Sequence, residues 1–108
     1  MNTEPKRHLI KSLINTFTAI PSERWCERRL TDSHGRHCAL GHLGVNEEMF
    51  DNSNDNEDYP PLAREMVNLF DDQDEVTRIN DVDNSDHDQR GPRARILAAL
   101  HDKLKECL

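Results

Sequence analysis

The sequence predicts a small, mainly α-helical fold of about four helices, with residues 1–108 forming one domain. Three observations carry that expectation. Apolar residues recur at i, i+3 and i+4 in three separate stretches, the period of a helix that buries one face. A chain of 108 residues has room for one thin core. Where the periodic pattern stops, proline, glycine or a run of Asp and Asn takes over, and these residues end helices and make turns. Hydrophobic residues make up 34% of the chain and charged residues 32%, so surface outweighs core.

The first helix is expected over 5–18. Leu9, Ile10, Leu13, Ile14 and Phe17 make one apolar stripe, Thr3 is a suitable N-cap, Pro5 fits a first turn, and Pro21 marks the exit. Residues 22–31, "SERWCERRLT", fit either a helix started by Ser22 with Trp25 and Cys26 or the first arm of a short β-hairpin near residues 24–38, and a hairpin or irregular turn is the preferred reading. Asp32 and Gly35 are the turn residues there. "HCALGHLG", 37–44, reads as a short helix with Ala39, Leu40 and Leu43 inward and Gly44 as its end. "VNEEMF" either extends it or opens a further turn capped by Asn46.

"DNSNDNEDYPP" is polar and acidic, and its 51–58 portion is expected to be a disordered loop. Leu62, Met66, Val67, Leu69 and Phe70 then define a helix across 60–71. "DDQDEVTRINDVDNSDHDQRG" reads as a second acidic connection, pinned to the core by Val76, Ile79 and Val82. The last helix starts at Pro92 and carries Ile96, Leu97, Leu100, Leu104 and Leu108. Arg93 and Arg95 in its first turn run against the helix dipole and are expected to answer the acidic loops. Leu13, Trp25, Leu40, Phe70, Ile96 and Leu100 should be buried.

Charge is segregated along the chain. Residues 1–45 carry a net +3, residues 46–88 a net −13 from fifteen Asp/Glu against two Arg, and residues 89–108 a net +3. A phosphate-binding protein shows a dominant basic patch. This chain shows a dominant acidic block, which repels nucleic acid and attracts basic protein surfaces. The candidate contact residues are Asp71, Asp72, Asp74, Glu75, Asp81 and Asp83. No apolar run reaches the roughly 20 residues of a membrane span, and the N-terminus lacks the apolar core of a secretory signal, so a cytoplasmic protein is expected. Three cysteines, an odd number, do not make a disulfide framework.

The stretch "SHGRHCALGH", 33–42, is the one place where metal or nucleophile chemistry has candidates. A tetrahedral site drawn from Cys26, His37, Cys38 and His42 has only one well-spaced pair, Cys38 and His42 at i, i+4. A hairpin turning at 32–35 would also set Cys26 opposite Gly41 and away from Cys38. No metal and no cofactor are therefore expected. A Cys38–His34 or Cys38–His37 nucleophile pair would use a helix N-terminus to lower the thiol pKa. It lacks a third, orienting group, so no enzyme is expected. The Asp/Asn runs from Asp51 and Asp81 fail as EF-hand loops, having no glycine at the sixth position and no Glu at the twelfth.

"RWC" (24–26), "DSHGRHCALGHLG" (32–44) and "RINDVD" (78–83), before a C-terminal helix, together resemble a loose group of small uncharacterised bacterial and phage proteins. The positions that carry the resemblance are Trp25, Gly35, Cys38, Ala39, Gly41, Leu43, Asn80 and Asp81, while His42 stands where the group more often has Ala. The resemblance implies a phage or mobile-element origin and no established activity. Physically, Trp25 and Cys38 fit packing roles, Gly41 lets another element approach, and Asn80-Asp81 can hold a turn or cap through side-chain hydrogen bonds. The expected function is a non-enzymatic, acidic protein-binding module. On the phage-like resemblance it would be an inhibitor occupying a basic, nucleic-acid-handling surface of a host protein. The alternative is a small-ligand or metal-binding protein built on 33–42. Self-association into a homo-oligomer is compatible with both readings.

Overall fold

The computed structural model describes residues 4–27, 29–51, 59–71, 73–81 and 91–107. It is mainly helical. Helix α1 spans Glu4–Thr18, α2 Ala39–His42, α3 Glu47–Asp51, α4 Pro61–Leu69, α5 Gln73–Asp81 and α6 Pro92–Glu106, with one 3-10 turn at Ser22–Arg24. Four of these, α1, α4, α5 and α6, run for two turns or more. Thr3, Val82 and Leu108 lie outside the described residues, as do 52–58 of the expected acidic loop.

Helix α6 is the central element. It packs along α1 on one side and against α5 on another, while α4 closes over α1 and α5. The core is where their stripes meet: Ile10, Leu13 and Phe17 of α1, Met66 of α4, Val76 of α5, and Ile96 and Leu100 of α6, all almost fully buried. Trp25, Leu40 and Phe70 join them. The six residues expected in the core are all there.

Helix α5 is a correction. The acidic stretch that reads as a connection forms a nine-residue helix over Gln73–Asp81. Asp74 and Glu75 stand in its first turn, where carboxylates suit the positive end of the dipole. Glu75 pairs with Arg78 one turn on. Val76 is buried and Ile79 packs against the core, so two apolar residues are enough to seat the helix on α6.

The arginines at the start of α6 reach helix ends. Arg93 donates from Nε to the Ile20 carbonyl (2.9 Å) and from Nη2 to the Thr18 carbonyl (2.8 Å), just past and at the end of α1. Arg95 is buried, donates to the Ile79 and Asn80 carbonyls at the end of α5 (3.2 and 2.6 Å), and pairs with Glu27. Helix C-termini leave carbonyls unpaired and carry partial negative charge.

The segment 22–38 takes the irregular course. Among the described residues it contains no strand, only two isolated bridges: Thr31 with His37, antiparallel, and Trp25 with His37, parallel. A tight turn does form at 32–35. Asp32 Oδ1 accepts from the His34 and Arg36 amides (both 2.9 Å), and Gly35 takes φ +77°. The parallel bridge changes the expected neighbours. Cys26 lies beside His37, its amide donating to the His37 carbonyl (3.0 Å), rather than opposite Gly41. Gly41 has a different duty: a Cβ there would sit 2.3 Å from the Leu30 carbonyl oxygen, so only glycine admits that approach.

Candidate functional site

The site is assembled around Asn80. This residue of α5 is 1% exposed. Its Oδ1 accepts from the Ala39 amide at the start of α2 (3.0 Å), and its Nδ2 donates to the Cys26 carbonyl (3.0 Å) and to Asp81 Oδ1 (2.9 Å). Cys38, the residue before α2, makes no side-chain cap, so Asn80 caps that helix from across the fold. One amide side chain thus locks α2, the 26–38 loop and α5 into a fixed arrangement.

Between these elements and α3 opens a cleft of about 360 Å³. Leu30, Ala39, Leu40, Phe50 and Val76 supply its apolar surface. Glu47 from α3, Asp81 and Thr77 from α5, Cys38 and Arg29 supply its polar groups. Asn46 positions α3 by accepting from the Met49 amide (2.9 Å), the capping role expected of it. Two carboxylates and one guanidinium therefore border an apolar pocket of side-chain size.

The acidic candidates fall in different places. Asp71 is exposed and takes φ +77° directly after α4, a left-handed conformation Asp tolerates better than most residues. Asp74 is exposed in the first turn of α5, and Glu75 is half-buried and paired with Arg78. Its carboxyl is held below the usual range by the Arg78 side-chain hydrogen bonds. Asp81 borders the cleft. Asp72 and Asp83 lie outside the described residues. Glu47, Glu48 and Glu65 add exposed carboxylates from α3 and α4.

The 33–42 cluster comes together as packing. His42 sits between Trp25 (ring centroids 4.8 Å apart) and His37 (5.2 Å). Its Nε2 is buried and finds no hydrogen-bond partner. Burial first, then the neighbouring His37, pushes its pKa down to about 4, so it is neutral at pH 7. His37 Nδ1 is instead hydrogen-bonded to Thr31 Oγ1 (2.8 Å). Among the described residues no three His, Cys, Asp or Glu side chains are grouped so as to hold a metal ion. Cys26, His37, Cys38 and His42 share a neighbourhood without forming such a group.

Cys26 and Cys38 are both held towards the thiol form. Burial pushes Cys38 up, against the lowering pull of the Gly41 and Leu40 amides, so the helix start does not activate it. Cys26 is pushed up to about 11 by burial and by Cys38 beside it, and its thiol donates to the Arg29 and Arg36 carbonyls (3.2 and 3.4 Å). All three cysteines are free.

Of the two roles the sequence allows Asn80, turn or cap, the structure shows the cap, whereas the cleft has no local signal in the sequence. Its apolar walls come from Leu30, Phe50 and Val76, three isolated residues in polar stretches, and only the fold makes them adjacent. Among the described residues no helix is long and apolar enough to cross a membrane. Comparison with protein-family models, curated proteins and solved structures finds no match to this chain.

Proposed function

We propose that this protein is a non-enzymatic binding module that presents an acidic face to a basic protein surface. The observation that carries the reading is the carboxylate excess of the central segment, fifteen Asp/Glu against two Arg over 46–88. Glu47, Glu48, Glu65, Asp71 and Asp74 are exposed on α3, α4 and the start of α5. Of the two arginines within 46–88, Arg78 is already taken by Glu75. Such a field steers cationic partners and speeds their association. The raised thiols and the neutral, enclosed His42 offer no activated nucleophile or poised base, which supports binding over catalysis. The phage-like sequence pattern suggests the partner's nature: a host nucleic-acid-handling protein whose phosphate-binding groove this module occupies.

The test begins with a partner captured from the source cell and then measured as a purified protein. The module should displace nucleic acid from that partner, and the displacement should weaken as salt rises. Displacement indifferent to salt, or ternary complexes in which nucleic acid stays bound, would reject the proposal.

A further inference from the structure

We infer that Cys26 and Cys38 form a two-thiol modification site, which a low-molecular-weight disulfide such as oxidised glutathione converts to an intramolecular disulfide. The backbone sets the pair. In the parallel bridge the His37 amide donates to the Arg24 carbonyl and the Cys26 amide to the His37 carbonyl, both at 3.0 Å. Trp25 and His37 are therefore level, and the next level pair is Cys26 and Cys38. Trp25 is extended (φ −105°, ψ 146°), as is Cys38 (φ −82°, ψ −179°). Side chains alternate along extended backbone. The Trp25 and His37 rings both meet His42, which leaves Cys26 and Cys38 together on the opposite face.

The two backbones stay close at that pair. The next bond of such a ladder would run from the Ala39 amide to the Cys26 carbonyl. Asn80 makes it by proxy: its Oδ1 takes the amide and its Nδ2 meets the carbonyl, each at 3.0 Å. The gap is one amide group wide. Neighbouring strands lie about 4.8 Å apart, and disulfides form across Cα separations of about 4.4–6.8 Å. Burial raises the Cys26 thiol first, and Cys38 is near enough to push it further.

The two thiols differ in access, and that orders the chemistry. Cys38 is half-buried and borders the cleft, whereas Cys26 is 7% exposed. The Cys38 thiolate attacks one sulfur of oxidised glutathione, forms a mixed disulfide and releases one glutathione thiolate. Cys26, after losing its proton, attacks Cys38 Sγ and releases the second glutathione. The protein gives up two electrons and two protons, and both pass to the two glutathione thiols. Cys26 leaves its contacts with the Arg29 and Arg36 carbonyls. The product ties the 26–38 loop to the start of α2, the joint that Asn80 also holds, and closes a loop in the unfolded chain.

The test treats the folded full chain with oxidised glutathione at about pH 8.5, where thiolate is available, and maps the peptides after an acid quench. The parent should lose two hydrogens, stay monomeric, and carry a Cys26–Cys38 link with Cys107 still a thiol. Cys26→Ala should stop with one glutathione on Cys38. Cys38→Ala should stay unmodified at Cys26. The oxidised parent should melt above the reduced parent, because the link fits the native geometry. Linkage through Cys107, glutathione retained on Cys38 of the parent, or an oxidised chain that melts below the reduced one would overturn the site.

Discussion

Replacing Asn80 by Ala should cost this fold about 2–6 kcal/mol, because its side chain satisfies two buried backbone groups. The Ala39 amide and the Cys26 carbonyl both lose a 3.0 Å partner. A buried donor or acceptor left unpaired costs about 1–3 kcal/mol. Two such groups, at a residue 1% exposed, give the range stated. At about 4–8 °C per kcal/mol for a domain near this size, the melting temperature should fall by at least about 8 °C. Thermal and urea melts followed by circular dichroism measure it. Asn80→Asp separates hydrogen bonding from volume. It keeps the acceptor for Ala39 but turns an anion towards the Cys26 carbonyl and Asp81. It should be at least as damaging at pH 7 and should recover relative to the parent in acid, where a protonated carboxyl can donate. A fall under about 3 °C for Asn80→Ala, or an Asn80→Asp variant as stable as the parent at pH 7, refutes the reasoning.

Other perturbations give equally definite outcomes. Gly41→Ala drives a methyl to 2.3 Å from the Leu30 carbonyl and should cost on the order of 1–3 kcal/mol by overpacking, measured by urea melts. Leu100→Ala opens a cavity at a fully buried site in α6 and should cost about 2–5 kcal/mol; an unchanged melting temperature would mean the helix is not packed as described. Stability should decline as pH falls from about 6.5 towards 4. The unfolded chain takes up a proton on this histidine across that interval, whereas the folded His42 holds it off until about 4. The loss from this group is on the order of 1–3 kcal/mol, given its partial exposure. His42→Phe keeps a ring between Trp25 and His37 and should flatten the decline, with Trp25 fluorescence as the readout.

Much of this fold is legible in the sequence because it is local. The stripe Leu9, Ile10, Leu13, Ile14 and Phe17 and the run after Pro92 are periodic over many residues, and Pro61 and Pro92 mark two helix starts. Gly44, with φ +97°, ends the "CALGHL" turn as a left-handed glycine should. Helix α5 was hidden by composition: Val76 and Ile79 are its only apolar residues in nine. The available signal was the acidic first turn followed by Arg78 at i+3. The destinations of Arg93, Arg95 and Asn80 are tertiary. Each reaches backbone groups 15 or more residues away, and no spacing rule encodes such partners. The parallel bridge between Trp25 and His37 is equally non-local, which is why Cys26 was expected beside Gly41. The cleft inherits this difficulty, since its walls are contributed one residue at a time.

The acidic-face claim is tested most directly by binding kinetics against the purified partner, from about 0.1 M to about 1 M salt, where the Debye length falls from about 10 Å to about 3 Å. The parent is compared with Asp71→Asn/Asp74→Asn/Glu75→Gln, in which Asn at 71 keeps the tolerance for positive φ. The account predicts an association rate that drops steeply with salt while dissociation changes less, because steering acts before contact. It also predicts that the triple variant associates slowly at every salt concentration while melting close to the parent temperature. An association rate flat with salt and the same in both proteins would contradict it.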